Sequence, residues 1–320
     1  MRLFWIRLTT MILAMALDWV FGEPPERLHP TVWMGKYILK AEKQALERNG
    51  KKTRRVLGAV IAISTILLFT VPTYFLEMIL VTLTGNTIYI IFASVALKTT
   101  FAARCMHQYN KNLCSAIQKG RLEDARQQMT LLVRRDPWRL DQKQMISASV
   151  ETIAEGIVDG VISPLFYFSL LGLPGAVAYR AVNTLDSMIG YKDPTYIDLG
   201  FFSAKLDTAA NYIPARITSL FLVVSALILG EDAMKSLQIL RRDHSKTESL
   251  NAGWSMSAMA GALGLELEKK GYYKLGDSDE ELSINHVSRA LRMHITSILL
   301  FLIFTALPLI YLTSKLTGGF

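Results

Sequence analysis

The sequence predicts an all-α, polytopic membrane protein with about four to six transmembrane or membrane-embedded helices and helical cytoplasmic loops. Three observations carry that expectation. Apolar residues make up 51% of the 320, and the mean hydropathy is +0.28, high for a soluble chain with 19% charged residues. The apolar residues are bunched into runs, and about 20 of them in helix cross a hydrocarbon core. Lys and Arg gather beside those runs, as they do in cytoplasmic loops. No stretch shows the alternation of a membrane barrel, and backbone in lipid has to satisfy its own hydrogen bonds.

Taken in order, residues 3–21 form the first apolar run, interrupted by Arg7 and ending at Asp18. It lacks a small-residue cleavage site and reads as a retained helix. Residues 35–55 are strongly basic, with Lys36, Lys40, Lys43, Arg48, Lys51, Lys52, Arg54 and Arg55 against Glu42 and Glu47. They read as cytoplasmic, which puts the N-terminus outside. A helix over 56–83 then runs outward, Thr84-Gly85-Asn86 turns, and 87–103 returns. Residues 104–150 are amphipathic and cytoplasmic, with Arg121, Arg126, Arg134, Arg135 and Arg139. A second cytoplasmic segment covers 231–293, with Arg241, Arg242, Lys269 and Lys270, and a helix over 295–312 exits. Between the polar segments lie two weaker runs. The first, 157–181, holds Asp159, Pro164 and Pro174 and reads as broken or re-entrant; the second, 216–230, is short. If both polar segments are cytoplasmic, either both runs cross or neither does, and the reading favoured is that both dip in from the cytoplasmic side. No internal repeat divides the chain, so 1–320 is expected to be one membrane domain.

The net charge of +8 is accounted for by those basic loops. A nucleic-acid role would call for a basic face with stacking aromatics, which the sequence lacks. Cys105 and Cys114 fit no zinc spacing and read as reduced structural thiols. There is no phosphate loop, no G-x-G-x-x-G and no H-E-x-x-H. The histidines, at 29, 107, 244, 286 and 294, have no metal spacing, and His107, His286 and His294 read as surface or interface residues.

Polar residues in apolar context are densest from Glu151 to Arg216. Glu151, Glu155 and Asp159 stand at i, i+4 and i+8, one face of a helix. Like charges repel there, and a divalent cation would offset the cost, since Mg²⁺ is typically held by one or two carboxylates plus substrate phosphates. A solvated acidic face is the plain alternative, against which stand the apolar neighbours Ile153, Ala154, Ile157, Val158 and Val161. Arg180, Asn183, Thr184 and Ser187 share a second face with Asp186 beside it; Arg offers a planar fork for carboxylate or phosphate. Polar glue between helices is the alternative there. Asp207 and Asn211 lie one turn apart, flanked by Lys205 and Arg216. In Asn251-Ala252-Gly253-Trp254, Gly allows close backbone approach and Trp can stack on a flat ligand.

The same segments resemble the adenosylcobinamide-phosphate synthase family of cobalamin biosynthesis. The resemblance is carried by Leu17-Asp18, Gly22-Glu23-Pro24 and His29-Pro30-Thr31-Val32-Trp33-Met34-Gly35. It continues through Arg135-Asp136, Ser149–Gly160, Ser163-Pro164-Leu165-Phe166, Ala178–Tyr191 and Gly200–Arg216, then Asn251–Trp254 and Ala258–Gly264. Two positions depart from the family pattern: Gly156 stands where Asn is expected, which removes a side chain, and Glu23 where Asp is expected, which keeps the charge.

The resemblance implies an amide ligase that joins aminopropanol, or its phosphate, to the free propionate of adenosylcobyric acid. ATP and Mg²⁺ would be consumed or required, and the corrinoid is substrate. It also implies a multi-pass protein of the cell membrane with its active site facing the cytoplasm, possible neighbours among other cobalamin-assembly enzymes, and no nucleic acid. The resemblance marks positions; residue chemistry suggests roles. Glu151, Glu155 and Asp159 would handle metal and phosphate, and Arg180, Lys205 and Arg216 phosphate or carboxylate. Asn183, Asp186, Asp207 and Asn211 would orient substrate, with Asn251 and Trp254 in the binding surface. His29, inside a matched motif, is the expected general base, and with Glu151, Glu155, Arg180 and Asp186 makes up the catalytic set. Rival readings are a non-catalytic scaffold that recruits cobalamin enzymes and, against the lack of repeats, a transporter.

Overall fold

The computed structural model of the chain describes residues 2–83, 85–133 and 136–317; Thr84, Arg134 and Arg135, which entered the reading above, lie outside them. The described chain is 78% helical. In order the helices are α1 (Arg2–Phe21), α2 (Pro30–Leu46), α3 (Lys51–Leu83), α4 (Asn86–Lys98), α5 (Ala103–Gln118), α6 (Leu122–Met129), α7 (Gln142–Ile157), α8 (Ser163–Leu171) and α9 (Leu173–Ile189). They continue with α10 (Phe201–Ala210), α11 (Tyr212–Leu229), α12 (Ala233–Asp243) and α13 (Ala252–Leu263). A short antiparallel hairpin follows, β1 (Leu267–Lys269) with β2 (Tyr273–Leu275), paired Leu267 to Leu275. Then come α14 (Ile284–Phe301) and α15 (Leu307–Thr317).

Among the described residues, six stretches are long and apolar enough to cross a membrane: Arg2–Phe21, Lys51–Leu83, Asn86–Gln118, Gln142–Leu171, Tyr212–Leu229 and Ile284–Leu316. Only 22% of the α3 window is buried within the protein, and Val60, Leu67 and Phe75 point outward, as lipid-facing residues do. The protein is an all-α polytopic membrane protein. Helices start earlier than hydropathy suggests: α3 begins at Lys51, because Lys and Arg are good helix formers that an apolar window does not register.

The break expected within 157–181 falls at one place. α7 runs into α8 through a π turn over Val158–Ile162, and the helix stops only at Gly172, whose φ is +72°. α9 restarts with Pro174 in its first turn. Pro164 explains the π turn: it has no N–H for the carbonyl four residues back, and its ring needs room at Gly160. The other π turn, Leu302–Ala306, likewise precedes a proline by two residues, at Pro308.

The sequence reading expected one domain; the chain divides into two compact units, each assembled from separated stretches. The first unit comprises Met1–Ala102, Ser163–Asn211 and Thr305–Phe320. Part of its core is Ile38, Ile61, Ala62, Leu185, Ile189 and Leu199, where α2, α3 and α9 meet. Gly58 lets α3 pass close to the 190s loop, since a Cβ there would sit 1.8 Å from the Leu199 carbonyl oxygen.

The second unit comprises Ala103–Ile162 and Tyr212–Phe304. Its core includes Leu113, Met145, Ile153, Leu222, Met259 and Met293, with α13 buried from Ser255 to Leu263. Ser225 on α11 and Ser297 on α14 share a buried hydrogen bond of 2.8 Å. Asp232 caps α12 and the Asp141–Gln144 box caps α7. α12 and the 244–251 loop double back along α11, for Arg216 near the start of that helix reaches Asn251.

Candidate active site

The second unit brings together three of the residues singled out in the sequence. Arg216 lies with its guanidinium carbon 3.5 Å from the Tyr212 ring centroid and 4.6 Å from that of Trp254. Its Nη1 donates to the Tyr212 carbonyl at 2.7 Å and to Asn251 Oδ1 at 2.8 Å. Two aromatic faces and two acceptors hold the fork flat. Both recorded bonds use Nη1; Nε and Nη2 are engaged by no described residue, so they can meet a planar anion. Tyr212 escaped the sequence reading although it precedes Arg216 by one turn, a spacing that puts both on one face.

The Asn251–Trp254 segment is shaped by Gly253. A Cβ at that position would lie 2.1 Å from the His244 carbonyl oxygen, so only glycine lets the start of α13 pack on the end of α12. Trp254 also meets the His244 ring, at 4.4 Å between centroids. Gly253→Ala should therefore displace α13 and cost about 2–3 kcal/mol of stability, as overpacking against backbone does. A thermal midpoint in detergent equal to that of the wild type would contradict this close approach.

Glu151 is buried, and its two oxygens are spoken for: Ser147 donates to Oε1 and Tyr273 to Oε2, each at 3.0 Å. Glu155 is exposed, and Asp159 falls in the π turn, where i→i+5 winding interrupts the four-residue repeat. Among the described residues no group of three or more His, Cys, Asp or Glu is placed to hold a metal ion. Glu151, Glu155 and Asp159 thus do not converge as the three-carboxylate cluster that their spacing suggested. Gly156, where the resemblance led Asn to be expected, faces Met106, whose methyl would lie 2.3 Å from an added Cβ.

The other singled-out residues belong to the first unit. His29 caps α2: its Nδ1 accepts from the Thr31 N–H at 3.2 Å, and its Nε2 lies 2.9 Å from Glu23 Oε2. Glu23 in turn pairs with the buried Lys98, 2.9 Å away, which also reaches Asp18 at 3.2 Å. Burial alone would raise the Glu23 carboxyl, but hydrogen bonds from His29 and Lys98 hold it below its ordinary value. The opening motif therefore builds a charge network across the ends of α1, α2 and α4, and both nitrogens of His29 are used in it.

Arg180 on α9 donates from Nε to Thr31 Oγ1 and from Nη1 to Asn183 Oδ1, both at 3.3 Å, which brings it beside the His29 cap. Asn211 is a separate hub: Ser163 Oγ and Tyr179 OH donate to its Oδ1 at 2.6 and 2.8 Å, and its Nδ2 donates to Asp207 at 3.1 Å. Tyr167 stacks on Tyr179 at 5.4 Å. Asp186 is half-buried under Gly190, where a Cβ would meet its Oδ1 at 2.1 Å. Lys205 is exposed, 5.9 Å above the Phe201 ring. The stretch Ser163–Asn211 thus supplies a buried polar interior to this unit. Cys105 and Cys114 are unbridged and half-buried.

A family profile described as CobD/Cbib protein matches residues 11–299, which takes in both units and nearly all of these side chains. The chain belongs to the CobD/CbiB family. Relatives in that family include a probable cobalamin biosynthesis protein CobD of Methanothermobacter thermautotrophicus, 39% identical over 92% of this chain and 95% of the relative. A protein of the same description from Thermoplasma volcanium is 38% identical over 95% of this chain and 97% of its own length. The cobalamin biosynthesis protein CobD of Dehalococcoides mccartyi is 39% identical over 89% and 91%. No solved structure matches the chain.

Proposed function

We propose that this CobD/CbiB family member is the amide-forming ligase that joins aminopropanol, or its phosphate, to adenosylcobyric acid at the expense of ATP. Family membership and the relatives' names support a role in cobalamin biosynthesis. The finer reading rests on one observation: Arg216, stacked between Tyr212 and Trp254 and tied to Asn251, with two of its nitrogens left for an anion.

A carboxylate is a poor acyl donor at neutral pH, and transfer of a phosphoryl group from ATP turns it into an acyl phosphate that an amine can attack. Arg216 then has two tasks. Its planar fork orients the incoming carboxylate, and its charge offsets the negative charge that builds on the acyl and phosphoryl oxygens. Asn251 and the Tyr212 carbonyl keep the fork from turning, so little reorganisation is needed at the moment of reaction. Trp254 supplies an apolar surface for a flat ligand.

The carboxylates present fit a Mg²⁺ ion that arrives on nucleotide phosphates rather than a resident metal in a protein cage. Glu155 is the exposed member of the trio and would provide the protein ligand; bound there, the ion would neutralise phosphate charge. The chain is read as a protein of the cell membrane with this site on the cytoplasmic side, because Arg216 and Asn251 join the basic 231–293 segment.

The test is turnover by full-length protein in nanodiscs, supplied with adenosylcobyric acid, aminopropanol phosphate, ATP and Mg²⁺. An amide product seen by mass only when ATP and amine are both present is the expected result. Corrinoid binding without product would replace the ligase with a scaffold.

A further inference from the structure

We propose that His244, which no sequence motif marked, is the catalytic base of the Arg216 site and takes the proton from the attacking amine. This rests on the ligase reading and adds the residue that the reaction needs beside its anion holder.

His244 Nδ1 lies 3.0 Å from the Leu240 carbonyl oxygen. A carbonyl only accepts, so Nδ1 carries the hydrogen, and the neutral ring keeps its lone pair at Nε2. No described residue engages Nε2, and the ring is half-buried. Its orientation is set from two sides: by Trp254, 4.4 Å away and tilted by 50°, and by the backbone of residue 244 pressed against Gly253. Trp254 also meets the Arg216 guanidinium, at 4.6 Å from its ring centroid. A fixed tautomer with an available lone pair, one aromatic ring away from a preorganised guanidinium, leaves Nε2 able to accept a proton from an amine bound beside Arg216.

The remaining histidines are committed elsewhere. His29 spends Nδ1 on the Thr31 N–H and Nε2 on Glu23. His286 spends Nδ1 on Ser283 and Nε2 on Glu280 at the start of α14. His107 and His294 are buried against each other inside the helices, at 5.3 Å between rings.

The step balances. The ammonium of the amine gives one proton to His244 Nε2, and the freed nitrogen pair forms the C–N bond at the acyl phosphate carbon. The C–O bond to phosphate breaks, phosphate leaves with that electron pair and takes up the second proton that the nitrogen sheds as it becomes an amide, and the imidazolium releases the first proton to water. With the earlier phosphoryl transfer, carboxylate, ammonium and ATP become amide, ADP, phosphate and one proton.

The experiment uses the full chain in nanodiscs with the substrates named above. His244→Gln should lower kcat by about 10²-fold, as loss of a general base does, with KM for amine and corrinoid within about threefold of wild type. His244→Ala should regain activity when free imidazole is added, and His29→Gln should show no such rescue. Wild-type turnover with His244→Gln retaining kcat within about threefold, or His244→Ala unresponsive to imidazole, overturns the assignment of the base and leaves the ligase standing. A wild-type protein that makes no amide overturns the ligase and His244 with it.

Discussion

Arg216→Ala should lower kcat/KM for amide formation by about 10³-fold, and Arg216→Lys by about 10²-fold, the scale of losing a preorganised donor to a developing oxyanion. The two variants differ for a physical reason. Lysine keeps the charge but presents a point ammonium, which can neither lie flat against the Tyr212 and Trp254 rings nor offer a planar edge to a carboxylate. Alanine removes the charge and leaves Asn251 Oδ1 without the bond now made at 2.8 Å. Steady-state kinetics in nanodiscs, with thermal midpoints measured alongside, separates lost chemistry from lost fold. Full activity in Arg216→Lys would reduce the residue to a structural clamp between Tyr212 and Trp254.

Asp243→Asn should cost about 2 kcal/mol of stability, the scale of losing charge-assisted hydrogen bonds to a buried carboxylate. The Asp243 side chain is fully buried at the end of α12. It receives Arg242 through both oxygens at 2.8 Å, Lys246 at 2.5 Å and the Gly276 N–H at 2.8 Å. Asparagine would turn an amide N–H₂ toward donors. The pair is anchored from the loop side by Gly276, whose φ of +84° suits glycine, and by Asp277, which also meets Arg242. Because His244 follows directly, this anchor also supports the proposed base.

The same carboxylate sets a pH dependence. Burial alone would raise it, but its hydrogen bonds from Arg242, Lys246 and Gly276 hold it down at about 2, against 3.8 ordinarily. A depressed folded-state value means stabilisation that is fully present above 3.8 and lost as pH falls toward about 2. Thermal midpoints across that window should fall for wild type relative to Asp243→Asn. Parallel curves would show that the pair contributes nothing there.

Much of the fold was legible because its determinants are local. Hydropathy over some 20 residues marks a helix that can lie in lipid, and it found the runs that became α1, α3, α4, and α14 with α15. The prolines carried more information than they were given: Pro164 and Pro308 each follow a π turn by two residues, a consequence of the missing N–H and the crowded ring. Helix starts such as Lys51 were missed because charge hides helical propensity from a hydropathy window.

The site was legible only in part. Residue chemistry singled out Arg216, Asn251 and Trp254, but nothing local says that a guanidinium meets a side chain 35 positions on; that depends on α12 and its loop returning along α11. Nor could spacing reveal that Glu151 is consumed by Ser147 and Tyr273, that His29 is a helix cap, or that His244 stacks on Trp254. The sequence by itself determined the all-α membrane class and the positions of the polar residues, since both follow from the chemistry of short stretches. Only the tertiary structure decided which polar groups share an environment, how the chain divides into two units, and which nitrogens and oxygens remain available, because those depend on packing between elements far apart in the chain.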